Sequence, residues 1–301
     1  MKKVFVIVLS ALVAGSCSFF GLSVLKGNGV PVQTVIDVEE FSSVSLPSMV
    51  DVDFTVCPGE QSLVFSCDEN LLEYYDIRVE GGVLVVGVVP GVILSPKAKT
   101  VLVVQAPVLE GVKASGSGDC VVHGPASVDG GIISVDGGFF VKTSGSGDIT
   151  VSGTVNCSEF SAVTTGSGEI SVFGPVNCSE FSAVTSGSGD ISVDGVECGS
   201  SAVVRSSGSG DIDVDGLVAS SAEIRTSGSG ELEVDGLTAS SITAHTSGSG
   251  DIDLVCRDAG VIDASTTGSG SIYVSGTARG INSRRSGSGN VYSGKLQLSG
   301  N

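Results

Sequence analysis

Isoleucine and valine recur along this chain at fixed distances from a glycine tripeptide. Gly-Ser-Gly begins at Gly116, Gly145, Gly166, Gly187, Gly208, Gly228, Gly248, Gly268 and Gly287, and after a first interval of 29 residues the spacings are 21, 21, 21, 20, 20, 20 and 19. Four residues after each first glycine stand Ile149, Ile170, Ile191, Ile212, Leu232, Ile252 and Ile272; six after stand Val151, Val172, Val193, Val214, Val234, Leu254 and Val274. Polar residues fill the places between, so the pattern has period two, that of a strand with one buried face. A second strand precedes each tripeptide. Phe139, Phe160, Phe181, Ala202, Ala222, Ile242, Ile262 and Ile281 lie six residues before it, and Val141, Ala162, Ala183, Val204, Ile224, Ala244 and Ala264 four before. The tripeptide predicts a sharp reversal, because glycine enters positive φ without steric cost, and Gly195, Gly216 and Gly236 mark a second corner.

A near-constant period of about twenty residues is the mark of a repeat architecture. The expected fold is all-β: a single-chain parallel β-helix, or β-solenoid, of about 20 residues per coil stacked roughly 4.8 Å apart, with a β-rich N-terminal cap. One coil with two inward-facing strands cannot offset the entropy of ordering its own backbone, so neighbours and end caps supply the rest. The fixed offsets and a hydrophobic content of 41% argue against a flexible Gly/Ser linker. A duplication is still legible: Val155 to Thr164 recurs letter for letter from Val176 to Thr185.

The division expected is 1–25 as signal peptide or membrane anchor, 26–113 as the cap segment and 114–301 as the repeat solenoid. Within the cap, Val50 to Val56 alternates cleanly, and Ile77-Arg78-Val79-Glu80 joins Val83 to Val86 across Gly81-Gly82 as a hairpin. Asp68 before Glu69-Asn70-Leu71-Leu72-Glu73 predicts a capped helical turn.

The N-terminus opens with Lys2 and Lys3 and continues as an uncharged apolar run, the pattern of a bacterial export signal. Ala14-Gly15-Ser16-Cys17 resembles a lipoprotein box, with Cys17 as the residue to be lipidated. Three readings stay open: lipidation, an uncleaved anchor, since Val4 to Leu25 is long enough to span a bilayer, and ordinary cleavage. All three export the remainder, so the expected location is the bacterial cell envelope, as an outer-membrane lipoprotein or periplasmic or surface protein. The membrane itself is then a partner, through the anchor.

A formal net charge of −18 argues against nucleic acid as a partner. Eight cysteines in an exported chain raise disulfides first. Cys120 takes a core position, and a bridge between Cys157 and Cys178, which share one repeat position, is awkward for in-register parallel neighbours, so free thiols are expected. The two histidines, His123 and His245, have no metal-ligand spacing with the cysteines.

Three residues after the first glycines come Asp119, Asp148, Glu169, Asp190, Asp211, Glu231 and Asp251, a carboxylate ladder and the candidate ligand-binding feature. Oxygen ligands in a row suit calcium. Yet two charges about 4.8 Å apart in water repel by only about 0.9 kcal/mol before screening, so solvation supports the ladder without a metal. Arg205, Arg225 and His245 predict cross-turn pairs with Asp211, Glu231 and Asp251 in preference to calcium, and no cofactor is expected. Thr143, Thr164, Thr185, Ser206, Thr226, Thr246 and Thr266 alternate with the outward residues, which predicts stacked hydroxyls hydrogen-bonding along the ladder at the core edge rather than an ice-binding face. An enzyme needs a loop-walled cleft. Only the interval from Asp119 to Ser144 has room, and its Asp129, Asp136, His123 and Lys142 form no triad or acid/base pair, so no catalytic residue is assigned.

Gly27-Asn28-Gly29, Phe41-Ser42-Ser43-Val44, Asp68-Glu69-Asn70-Leu71-Leu72 and the recurrent Ser-Gly-Ser-Gly-Asp resemble the putative auto-transporter adhesin, head GIN domain family, over roughly residues 28 to 295. The resemblance implies a β-helical fold and an envelope location, with no catalytic residues to carry over. The expected role is therefore non-catalytic: an adhesin or scaffold holding a protein or glycan along the solenoid face. The alternative is a carbohydrate-active protein, either a polysaccharide lyase-like enzyme or a glycan-binding module.

Overall fold

The structure, a computed structural model, describes residues 23–125 and 131–299. Cys17, the apolar N-terminal run and Asp129 lie outside the described residues. No helix among the described residues is long and apolar enough to cross a membrane. The chain is all-β and winds into a β-solenoid of about 8 turns.

Equivalent aliphatics stack in register. Ile149 pairs with Ile170, Ile170 with Ile191, Ile191 with Ile212, Ile212 with Leu232, Leu232 with Ile252 and Ile252 with Ile272, every contact parallel. Each of these side chains is buried. Phe139, Phe160 and Phe181 form a second column whose rings stack at 6.1 and 5.7 Å between centroids.

Each regular coil has a third inward segment that the two-strand reading omits. Beyond Gly216 (φ +68°), Leu217 and Ala219 turn into the core, as do Leu237 and Ala239 one coil later. The positive-φ glycine resets the alternation, so Val214 and Leu217, three residues apart, both face inward. Two consecutive exposed residues, Ser220 and Ser221, then break the alternation again before Ala222 and Ile224 re-enter the core.

The tripeptide works differently from its sequence expectation. None of its glycines has positive φ. Instead, a Cβ on any of them would fall 1.9–2.3 Å from a carbonyl oxygen of the coil before. Glycine is required because successive corners nest: the N–H groups of Ser229 and Gly230 both reach the carbonyl of Gly208, at 2.9 and 3.4 Å.

The parallel stack also runs into the cap segment. Gly111–Ala114 pairs with Ser43–Leu46, and Cys120–His123 with residues 52–55 of Asp51–Val56, so residues 43–56 form a coil without the tripeptide. Its partners on the other side are Val83–Val88 and Val101–Ala106, still parallel. Antiparallel strands follow: Tyr75–Glu80 on Val83–Val88 across Gly81-Gly82, Ser62–Asp68 on Val101–Ala106, and Pro31–Val35 on Ser62–Asp68.

Asp68 precedes a short 3-10 helix, Glu69–Tyr74, but makes no side-chain cap to it. Its buried carboxylate instead accepts N–H bonds from Gly29 (2.5 Å), Lys97 (2.8 Å) and Ala98 (3.0 Å). Burial pulls its pKa up, but these bonds and the charge of Lys97 outweigh that and hold the carboxyl below its usual range. Asn70 ties down the same stretch, accepting from Asn28 N–H and donating to Lys26 O.

Candidate functional site

The carboxylate ladder is built for the backbone. Asp148 Oδ1 accepts the N–H of Glu169 at 2.8 Å, Asp190 Oδ1 that of Asp211 at 2.8 Å, Asp211 Oδ1 that of Glu231 at 2.7 Å and Asp251 Oδ1 that of Ser271 at 2.7 Å. Each aspartate thereby satisfies the equivalent amide one coil on, which strand pairing leaves free at a corner. Asp51, which the sequence period does not reach, is the first rung, accepting from Asp119 N–H at 3.2 Å. Glu169 and Glu231 have a longer arm and take no such bond; Glu169 accepts the hydroxyl of Ser171 instead.

The expected cross-turn pairs do not form. Arg205 and Arg225 both bind Glu223, the first at 2.7 Å, and His245 Nδ1 lies 2.9 Å from Ser265 Oγ. Glu223, two residues before Arg225 on the same strand and one coil on from Arg205, meets both guanidiniums on the strand face. These residues belong to a continuous register column, Lys113 to Lys142, then Val163, Val184, Arg205, Arg225, His245, Ser265 and Arg284. A shallow groove of about 780 Å³ lies over Arg205, Arg225 and His245, edged by Ser207, Ser227 and Ser247.

On the other long strand the outward positions are acidic, a column the sequence reading counted only as polar. Asp194, Asp215 and Asp235 stand in one register row, beside Asp213 and Glu233 in another, with Asp253 continuing the second. Desolvation and mutual repulsion push the carboxyls of Asp213 and Glu233 above their usual range, and desolvation with the charge of Asp235 does the same to Asp253. Among the described residues no group of three His, Cys, Asp or Glu side chains has the arrangement of a metal site.

The threonine column is buried, and its hydroxyls donate within their own corner rather than along the ladder. Thr143 Oγ1 bonds Gly147 O at 2.9 Å, Thr246 Oγ1 bonds Gly250 O at 2.9 Å, and Ser206 does the same to Gly210 at 3.0 Å. The seven described cysteines are free. Cys120 sits in the isoleucine column, fully buried, and burial pushes its thiol far up. Cys157, Cys178 and Cys198 follow one another on successive coils, Cys178 and Cys198 as register partners; burial pushes Cys157 up to about 11. In the roomy interval, His123 Nε2 lies 3.6 Å from Asp53 Oδ1, both open to solvent.

Crystal structures share this architecture. The chain has a TM-score of 0.69 to a structure described as a putative adhesin from Parabacteroides distasonis, at 19% identity over 90% of this chain and 100% of that one. It has a TM-score of 0.66 to a putative lipid binding protein from the same species, at 21% identity over 90% and 99% of the two chains. A putative adhesin from Parabacteroides merdae gives 0.62, at 16% identity over 90% and 98%. At these identities the likeness establishes the fold. No curated protein matches the sequence. The family model described as putative auto-transporter adhesin, head GIN domain, matches residues 40–214, 132–257 and 222–300, and the chain belongs to that family.

Proposed function

We propose that this chain is a non-catalytic adhesin or scaffold of the bacterial cell envelope that holds a protein or glycan partner along the solenoid. In this reading the protein is exported, Cys17 carries the lipid that anchors it, and residues 26–113 close the N-terminal end of the stack. The observation that carries the reading is the columnar surface. Outward side chains stand one per coil in register columns, so the molecule offers many weak contacts in line, and their sum gives avidity. Catalysis asks for the opposite arrangement, a few unlike groups converging on one reacting atom.

The test is retention on a surface. Cells displaying the full chain, and the purified protein, are passed over immobilised envelope proteins and polysaccharides. Retention with no change in the polymer's chain length is expected. New chain ends released from a polysaccharide would favour the carbohydrate-active enzyme instead, and no retention on any surface would remove the adhesin role.

A further inference from the structure

The surface charge of this acidic chain is sorted by face. Over the coils from Ile191 to Thr246, two adjacent outward rows carry Asp194, Asp215 and Asp235, and Asp213 and Glu233, while the row across the corner carries Arg205, Arg225 and His245. A single carboxylate, Glu223, is shared by both arginines, so that row keeps an excess of positive charge. The guanidiniums stay half exposed, at 50% and 46%, with donors left over after Glu223 is served.

We propose that this groove binds a linear acidic polysaccharide, one bearing a carboxylate on its sugars; the assignment rests on the adhesin reading and names its face and ligand class. Three features select that chemistry. First, Arg205 and Arg225 are register partners on successive coils, at the inter-strand spacing of roughly 4.8 Å, which suits repeated anions on a polymer better than one small ion. Second, Ser207, Ser227 and Ser247 run beside them, exposed, on the edge of the same groove, and a row of hydroxyls hydrogen-bonds sugar hydroxyls. Third, the flanking carboxylates discriminate by charge density. A duplex or an anionic bilayer would bring many phosphates within about 8–10 Å of the acidic row and be repelled, whereas a thin chain with sparse charges lies within the groove. Arginine adds the planar fork that meets a carboxylate with two hydrogen bonds.

The experiment measures binding of the purified full chain to polygalacturonate, to the same polymer with its carboxyls reduced to alcohols, to duplex DNA and to phosphatidylglycerol vesicles. Expected is binding to polygalacturonate that weakens with salt, with little to the other three. Arg205→Gln with Arg225→Gln should weaken it roughly tenfold or more, since charge-assisted bonds are the stronger kind, while the circular dichroism of the folded β-solenoid is retained. Glu223→Gln should tighten it by freeing both guanidiniums, and Asp213→Asn with Asp215→Asn, on the other row, should not weaken it. Equal binding of the reduced polymer would overturn the inference while leaving the adhesin reading intact. So would preference for DNA or vesicles, absence of polymer binding, or an unchanged affinity in both the arginine and the Glu223 variants. The adhesin reading itself fails only when no surface, protein or glycan, retains the chain.

Discussion

A Cβ built on Gly228 would lie 1.9 Å from the carbonyl oxygen of Gly208, one coil earlier. That oxygen is part of the backbone and already accepts two N–H bonds, so it cannot step aside. Gly228→Ala should therefore cost about 3 kcal/mol, the upper range for overpacking a site that cannot relax. Ser229→Ala, next to it and exposed, should stay within about 0.5 kcal/mol. Urea unfolding of the two variants beside the parent decides it. Equal midpoints would mean that the corners are not nested this closely.

Thr246 tests the buried hydroxyls. Its Oγ1 donates to the carbonyl of Gly250, and valine in its place keeps the shape while leaving that oxygen without its partner. Thr246→Val should lose about 2 kcal/mol, the cost of an unsatisfied buried acceptor. Thr246→Ser should lose much less, because Ser206 makes the same bond in its own coil. A valine variant as stable as the parent would show that the hydroxyl contributes only its volume.

The apolar columns are legible in the sequence because they are periodic and local: Ile212 and Val214 keep their offsets from Gly208 whatever the rest of the chain does. What depends on the neighbouring coil is not legible. Glycine's usual reason is conformational freedom, and that reason holds at Gly216; at Gly208 and Gly228 the reason is a carbonyl one coil earlier, 21 and 20 residues away in sequence. The coil of residues 43–56 escapes the period because its corner reads Pro47-Ser48-Met49, although Asp51 still serves as a ladder rung. Likewise Arg205 is separated from Asp211 by one tight corner, yet its partner is Glu223, brought close only by stacking. The motifs Gly27-Asn28-Gly29 and Asp68-Glu69-Asn70 give no sign in sequence that they meet, but Asp68 and Asn70 hold that glycine stretch directly.

Stacking by nearest neighbours predicts that a whole coil is removable. Deleting Ser207 to Thr226, 20 residues, joins Ser206 to Ser227 and restores every column in phase. The shortened chain should unfold cooperatively at a midpoint close to the parent's, since it loses one repeat and one interface of many alike. Deleting Ser207 to Gly216, 10 residues, removes a corner and turns the following side chains out of phase, and that chain should not fold. Circular dichroism and urea titration of both separate the outcomes; similar behaviour of the two would contradict a register-dependent core.

The acidic row makes stability depend on pH in a stated direction. Asp213, Glu233 and Asp253 have folded pKa values above their ordinary ones, so the folded state binds protons more readily than the unfolded chain there. Stability they contribute is complete below the ordinary carboxylate value and is lost as pH rises through the raised values, where the ionised carboxylates repel. Asp68 and Glu223 run the other way. Burial opposes ionisation of both, but backbone bonds at Asp68 and the two arginines at Glu223 prevail, so their contribution is present at neutral pH and fades as pH falls through their lowered values. The thermal midpoint should thus rise on mild acidification from neutral pH and fall again at stronger acid. Asp213→Asn should raise the midpoint at neutral pH by an amount worth less than about 1 kcal/mol, because the group is exposed, and the gain should vanish where Asp213 is already protonated. A midpoint that only declines from neutral pH downward, with the Asn variant no more stable at neutrality, would show that the carboxylates of this row do not feel one another.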